Sequence, residues 1–216
     1  MRIYYRDILP MSPTFYKKEV DKMKKRLIFP LLAAVFMFVS GSITAYAYNV
    51  NVSGGFSGTP YTVRWHNSLS ANEKTAISNA CNAWDTAGYG NLADLSNYSH
   101  LNSYPNNNGI NEISYASLED GTLAQCTWWY TNIFHTKIES ADIGISTSHT
   151  FAIGRNPNAN EYDFQSVITH EVGHALGLGH PADTETDAVM YKSFRDGQMR
   201  RELSSDDIAG IQDIYD

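Results

Sequence analysis

The spacing of apolar residues predicts the first strand and the first helix of the chain. Residues 61–65 alternate between apolar and polar side chains, the pattern of a half-buried strand. Within residues 71–87 the apolar side chains fall at i, i+3, i+4 and i+7, which is one face of a helix, at Ile77, Ala80, Cys81 and Trp84. Residues 49–58 predict a loose arm, and the polar, Asn-rich residues 89–111 predict a loop.

Three strands and two helices are predicted beyond that loop. The strand-like stretches are 112–116, 123–130 and a run ending at Ile145. A second helix begins near Asp163, a good N-cap residue, and is ended by Gly177. The last helix spans 205–215 after Ser204, with a buried stripe of Ile208, Ile211, Ile214 and Tyr215. Strands in the first half and helices toward the end indicate an α+β fold.

The N-terminal 47 residues have the pattern of a secretory signal peptide. Lys24, Lys25 and Arg26 precede 13 apolar residues, 27–39, and Ala45-Tyr46-Ala47 is a small-residue cleavage site. An uncleaved anchor is the alternative, but it needs about 20 apolar residues to cross a bilayer. We expect cleavage after Ala47, with Met23 as a second candidate for the true start. The mature protein would then be secreted, extracellular and not attached to a membrane.

Charge excludes nucleic acid as a partner. The 216-residue chain carries 16 basic and 23 acidic residues, a net charge of −7. Eight of the basic but only three of the acidic residues lie in 1–47, so the remaining 169 residues carry a net charge of −12. Binding to phosphates requires a basic face. We divide the mature chain into an N-terminal arm, 48–60, and one domain, 61–216.

Two cysteines leave two interpretations open. Cys81 lies on the apolar face of the first helix and Cys126 in a strand, so both fit buried thiols. Export also permits a disulfide. A bridge between them would close a 46-residue loop and contribute roughly 4 kcal/mol by chain entropy, and we slightly favour that bridge.

The most informative segment is 170–180, whose sequence is H-E-V-G-H-A-L-G-L-G-H. His170 and His174 are four residues apart, so on a helix they project from one face and can hold one zinc ion. Gly177 lets the chain turn back and bring His180 round as a third nitrogen ligand. Three protein ligands leave a fourth position open, the arrangement of a catalytic rather than a structural zinc.

Glu171 completes the predicted chemistry. It stands beside the first ligand, where it can reach a zinc-bound water and act as the general base for attack on a peptide carbonyl. It would then deliver the proton to the leaving amine. The remaining histidines are each more typical of surface or hydrogen-bonded residues: His66, His100, His135 and His149.

These residues match the H-E-x-x-H-x-x-G-x-x-H signature of the metzincins, and the chain resembles the matrixins among them. Ala188-Val189-Met190-Tyr191 resembles the methionine turn of that group. Further segments resemble matrixin elements in matching order, at 61–65, 71–84, 141–143, 163–167 and 203–212. The resemblance covers about 61–216 and indicates a secreted, bacterial-type matrixin-like peptidase.

The resemblance implies a metzincin catalytic domain with two subdomains. The upper one would have a twisted mixed sheet and two helices, and a small lower one would follow Gly177 and end in a helix. An extended substrate would lie between them and add as a strand to the sheet edge. The segment after Met190 would shape the pocket for the residue following the cleaved bond. Asp206 and Asp207 would tie the last helix to the mature N-terminus and to the methionine turn.

The chain also departs from the animal matrixins. The short stretch between Ile145 and Asp163 lacks the loop that holds a second zinc and calcium, so we expect one catalytic Zn²⁺ only. Calcium stays open, although the acidic loop at Asp183, Glu185 and Asp187 is more typical of solvated side chains. No cysteine switch and no accessory domain are evident. Trp128, Trp129 and Tyr130 are expected to alternate between the core and the sheet surface.

The sequence therefore predicts a zinc-dependent endopeptidase that acts as a monomer on an extended peptide or protein substrate. A catalytically inactive zinc-binding module of the same fold, used for adhesion or recognition, is the alternative. Glu171 discriminates between them, because an inactive domain has little use for a carboxylate at that position.

Overall fold

The computed structural model describes residues 47–130 and 134–216, which lie in one compact unit, Thr44–Asp216. The predicted signal peptide therefore falls outside the described residues, apart from Ala47. Among the residues described, none of the helices has the length and apolar character needed to cross a bilayer.

Twelve elements make up the described chain. In order they are β1 (Asn49–Val50), β2 (Tyr61–His66), α1 (Ala71–Asp85), β3 (Ala93–His100), β4 (Glu112–Ala116), β5 (Ala124–Tyr130), β6 (Ile138–Ser146), β7 (Phe151–Ala152), β8 (Tyr162–Asp163), α2 (Phe164–Ala175), β9 (Leu178–Gly179) and α3 (Ser205–Tyr215). The predicted α+β fold is confirmed.

A five-stranded mixed sheet, in the order β3-β2-β4-β6-β5, is the centre of the fold. The first four strands run parallel, and β5 runs antiparallel to β6. Parallel strands need crossover connections, and α1 provides the one between β2 and β3. β5 is a terminal strand of this sheet, and it lies next to α2.

Helix α1 forms where the apolar spacing predicts it. Ser70 caps it in a capping box with Glu73, which satisfies two backbone N–H groups at the helix start. The predicted face is buried, including Cys81 and Trp84. The Trp84 indole donates to the backbone carbonyl of Thr169 at 2.9 Å, so α1 is joined to α2 by a buried hydrogen bond.

Two segments predicted as irregular are ordered, and those predictions were wrong. Residues 93–100 form β3 rather than a loop, paired in parallel with β2. The predicted loose arm is anchored, because β1 pairs with β9 and the side chains of Val52 and Phe56 enter the core. Pairing with distant parts of the chain outweighs the polar local composition in both cases.

The Asn-rich loop before β4 is fixed by two buried carboxylates. Asp142 accepts hydrogen bonds from the backbone N–H groups of Asn106 and Glu112, at 2.8 and 2.9 Å. Glu112 in turn accepts from the side-chain amides of Asn102 and Asn108, at 2.5 and 3.2 Å. The asparagines thus satisfy buried acceptors that a hydrophobic loop would leave unpaired.

Helix α3 holds the part of the chain that follows Gly177. It spans the residues predicted, and Ser204 caps it in a capping box with Asp207. At its other end, the Tyr215 hydroxyl donates to the Leu176 carbonyl and accepts from the backbone N–H of Phe56, both at 3.0 Å. The last helix therefore connects the arm with the end of α2.

Candidate metal centre

Helix α2 places two histidines and a glutamate beside the edge of the sheet. Its N-cap, Asp163, accepts from the backbone N–H and the hydroxyl of Ser166 at 3.0 and 2.6 Å. Four residues after Ser166 comes His170, and one turn later His174. Their rings lie 4.7 Å apart by centroid, and both side chains are half-buried.

The chain turns back directly after α2 and brings the third histidine to the same point. Gly177 adopts a φ of 108°, in the left-handed region that favours glycine. The short strand β9 follows, and then His180. Its Nε2 atom lies 3.2 Å from the Nε2 atom of His170 and 3.2 Å from that of His174.

Backbone carbonyls set the tautomer of the two helix histidines. His170 Nδ1 lies 2.8 Å from the Val189 carbonyl, and His174 Nδ1 lies 2.8 Å from the Leu178 carbonyl. Because a carbonyl only accepts, the proton sits on Nδ1 and each Nε2 presents a lone pair to the centre. Burial lowers the pKa of His170 to about 4 and that of His174 well below its usual value, so both rings are neutral at pH 7.

This donor set fits a zinc ion. With Zn–N bonds of about 2.0–2.1 Å and tetrahedral angles, two nitrogens on one ion stand about 3.3–3.4 Å apart. The distances from His180 are close to that separation, and three imidazole ligands leave one tetrahedral position open. Among the described residues, these histidines form the one group of three or more metal-ligating side chains whose ligand atoms converge.

Glu171 lies next to this centre and is 6% exposed. Burial raises the pKa of its carboxyl to about 8, and a hydrogen bond from the backbone N–H of Cys126 opposes that rise. At pH 7 a carboxyl with that pKa is largely protonated, and a cation beside it would favour the ionised form that a general base requires. The carboxylate is thus held between α2 and the edge strand β5 and can accept a proton there.

A turn at residues 188–191 lies beneath the histidines and is fixed by α3. Asp207 accepts from the backbone N–H groups of Val189 and Met190, at 2.9 and 3.0 Å. Met190 is buried against α2, where a Cβ added to Gly173 would lie 2.3 Å from its sulfur. Only glycine fits at that helix position, because any side chain would overlap the methionine.

Asp206, the neighbour of Asp207, binds the start of the described chain. Its Oδ1 accepts from the backbone N–H of Ala47 at 2.6 Å. The two adjacent aspartates therefore hold different segments, the turn below the histidines and the beginning of the arm.

Comparison with known families decides the relationship. The family model named Matrixin (Peptidase M10) matches residues 69–216, which is more than half of the chain. The chain belongs to the matrixin family.

Individual matrixin relatives match over a shorter region. Metalloendoproteinase 5-MMP of Arabidopsis thaliana is 44% identical over 59 residues, which cover 27% of this chain and 16% of that protein. Human Matrilysin is 46% identical over 54 residues, covering 24% of this chain and 20% of that protein. The matched part thus spans a fifth or less of these relatives.

A solved structure resembles this matrixin chain in outline. The alignment with the zinc protease High choriolytic enzyme 1, from the medaka fish Oryzias latipes, covers 78% of this chain and 94% of that chain. Sequence identity is 14% and the TM-score is 0.40, so the likeness carries no conclusion about activity.

The favoured disulfide of this matrixin is not formed. Cys81 and Cys126 are both free thiols. Cys81 lies in α1, which packs on β3, whereas Cys126 lies in β5 at the opposite end of the sheet. A disulfide requires Cα atoms within about 7 Å of each other. The strand order, which places β3 and β5 at opposite ends of the sheet, cannot be read from the sequence.

The acidic loop does not assemble into a cation site among the described residues. Asp183 forms an ion pair with Lys192 at 2.6 Å, and Asp187 is exposed.

Of the remaining histidines, His100 is buried, and its Nε2 atom lies 3.1 Å from the carbonyl oxygen of Ile113.

Sequence reasoning missed two contributions from β5. The backbone N–H of Cys126 binds Glu171, and the Trp128 ring lies 6.3 Å from the ring of His174. Residues 126, 128 and 130 share one face of the strand by its two-residue period. That alternation was the available signal, but it does not say which face is turned toward α2.

Proposed function

We propose that this matrixin is a secreted zinc-dependent endopeptidase that hydrolyses peptide bonds with Glu171 as general base. The observation that carries the proposal is the convergence of three Nε2 atoms, with His180 at 3.2 Å from both helix histidines, beside a buried carboxylate. His170, His174 and His180 would hold one catalytic Zn²⁺. The family match supports this assignment.

Zinc, when bound, supplies a Lewis acid that acidifies a coordinated water and polarises the carbonyl of the scissile bond. Glu171 accepts the proton of the attacking water and passes it to the leaving amine. The carbonyls of Val189 and Leu178 hold the proton of each helix histidine on Nδ1, so that each Nε2 lone pair would be available to bind the zinc.

The substrate binds as an extended chain along β5. This strand ends the sheet, so its outer edge offers backbone groups for pairing, and it lies directly beside α2. The segment after Met190 forms the wall of the pocket for the residue that follows the cleaved bond. The enzyme acts as a monomer, and removal of 1–47 would accompany its export.

The test compares the full chain, purified after expression with its own N-terminal segment, with Glu171→Ala and Glu171→Gln. Glu119→Gln, at an exposed glutamate away from the histidines, is the matched control. Unfolded protein is the substrate, with and without a chelator. We expect one zinc per chain in every variant and at least a 100-fold loss of cleavage in both Glu171 variants, since general-base catalysis contributes about 10²–10⁴-fold.

Three results would contradict parts of this proposal. Equal cleavage by the native protein and the Glu171 variants would remove the catalytic assignment. Zinc binding without cleavage by the native protein would favour the inactive adhesion or recognition module. A metal count near two per chain would show a structural site that the described residues do not reveal.

A further inference from the structure

Arg200 carries hydrogen-bond donors that the protein itself does not use. Its Nε and Nη1 nitrogens are buried and have no hydrogen-bond partner among the described residues. Burial lowers the pKa of the guanidinium, which nevertheless stays charged at neutral pH. Buried polar groups are nearly always paired, so two buried, unpaired donor atoms on this half-buried arginine require an explanation.

The guanidinium is held in place by its other contacts. Its Nη2 atom donates to the Ser193 carbonyl and to the Gln198 side chain, at 3.0 and 3.1 Å. The rings of Tyr191 and Phe194 lie 5.4 and 5.3 Å from the guanidinium carbon. A cation fixed on two aromatic rings loses little further freedom when it binds a ligand.

Arg200 also lies close to the candidate metal centre. Its backbone N–H donates to the Ser166 hydroxyl at 2.7 Å, one helical turn before His170. Its charge contributes to the lowered pKa of His170. Tyr191, which the guanidinium contacts, directly follows Met190. Arg200 therefore belongs to the segment that follows Met190 and packs against the first turn of α2.

A cavity of about 420 Å³ lies at this position and has Arg200 and Met199 in its lining. It is large enough for one amino-acid side chain. Asp187 and Glu202, which also line it, are exposed, and no carboxylate lies within 4.0 Å of Arg200 among the described residues. The neighbouring Arg201 is already paired with Asp163 at 2.5 Å.

We propose that Arg200 makes this protein select an acidic residue, Asp or Glu, immediately after the cleaved bond. The inference rests on the proposed function and names its substrate class. A carboxylate entering the cavity would bind the unpaired Nε and Nη1 donors and neutralise a cation that is otherwise partly desolvated without a partner. A neutral side chain would leave both donors unsatisfied.

The test uses pairs of fluorogenic peptides that differ at one position, Glu against Gln or Asp against Asn. The position lies after the cleaved bond in one set and before it in another, and mass spectrometry confirms the cleavage point. Native protein is compared with Arg200→Gln, and with Arg195→Gln as a control of equal charge change at an exposed arginine in the same segment.

We expect the native protein to cleave the Glu peptide about 10- to 100-fold better than the Gln peptide by kcat/KM, the range of a hydrogen bond to a charged group. The preference should fall to within about twofold in Arg200→Gln and persist in Arg195→Gln. Asp187→Asn changes an exposed residue, so the variant should fold. It should strengthen the preference for the Glu peptide, because one carboxylate that repels the substrate carboxylate is removed from the rim of the cavity.

Binding measurements keep this inference separate from the proposed function. Fluorescence anisotropy with the zinc-loaded Glu171→Ala variant needs no turnover, and Glu peptides should bind at least 10-fold more tightly than Gln peptides only when Arg200 is present. Cleavage without an acidic preference, or a preference that survives Arg200→Gln, overturns the inference and leaves the peptidase intact. An Arg200-dependent preference at the preceding residue overturns the position assigned here.

Discussion

Asp207 offers the sharpest test of how the domain supports its histidines. Its side chain is 1% exposed and accepts four hydrogen bonds. Oδ1 binds the Met190 N–H, and Oδ2 binds the Val189 N–H together with the N–H and hydroxyl of Ser204. The Val189 carbonyl in turn binds His170, so one carboxylate supports both α3 and the turn below the metal centre.

Asp207→Asn keeps the shape but replaces one acceptor oxygen with an amide NH₂. In either orientation of the amide, at least one backbone N–H of the turn then faces another donor. An unsatisfied buried donor costs about 1–3 kcal/mol, and hydrogen bonds to a charged group are at the upper end. We expect the free energy of unfolding to fall by about 2–3 kcal/mol, which is roughly 4–12 °C in Tm for a domain of this size.

The assay is urea unfolding of the metal-free protein, combined with zinc competition against a chromophoric chelator. Zinc affinity should fall about 10- to 100-fold, the usual effect of disturbing a group that orients a metal ligand. Asp120→Asn, at an exposed loop carboxylate, is the control and should change stability by less than about 0.5 kcal/mol. The reasoning is refuted if Asp207→Asn behaves like this control in both measurements.

Three further predictions concern packing, thiols and pH. Gly173→Ala should lower the free energy of unfolding by about 1–3 kcal/mol, because the new methyl group would lie 2.3 Å from the sulfur of Met190 and overpack the core. Gly58→Ala is the control and should be tolerated, since the space around Gly58 is open. Equal losses of stability in the two variants would contradict this packing. Cys81 and Cys126 should both react with a thiol reagent in denaturant without reductant, and a mass two hydrogens lower would instead show a bridge. The pKa of His170 is lowered to about 4, so its ring stays neutral as the pH falls from 7 to 5. The zinc content, measured by metal analysis, should therefore stay at one per chain at pH 5 and be lost below about pH 4. Release of zinc above pH 6 would show that the pKa of this histidine is not lowered.

The helices and the histidine cluster were predictable because their signals are local. Residues 205–215 have a helical apolar stripe and a capping serine, and α3 has those bounds. The positions of His170 and His174 follow from helix periodicity alone. The glycine at 177 indicates a turn, and the turn brings His180 to them.

Features that depend on distant parts of the chain were not predictable in the same way. β3 has mostly exposed or half-buried side chains, so it shows no apolar alternation, and its pairing with β2 is what orders it. The separation of the two cysteines follows from the strand order of the sheet. Arg200 is an ordinary cation in the sequence, and its unpaired nitrogens emerge only when residues 191–200 fold against α2.

The pairing of β1 with β9 has a consequence for how metal binding relates to folding. Asn49 and Val50 pair with Gly179 and Leu178, directly before the third histidine, across a separation of more than 120 residues. An isolated α2 peptide would present two imidazoles, and the pairing of β9 with the distant β1 would hold in place the segment that leads from the Gly177 turn to the third. Zinc affinity would therefore depend on whether the arm is paired with β9. Truncating the first few residues of the arm would weaken zinc binding although none of the ligands is changed.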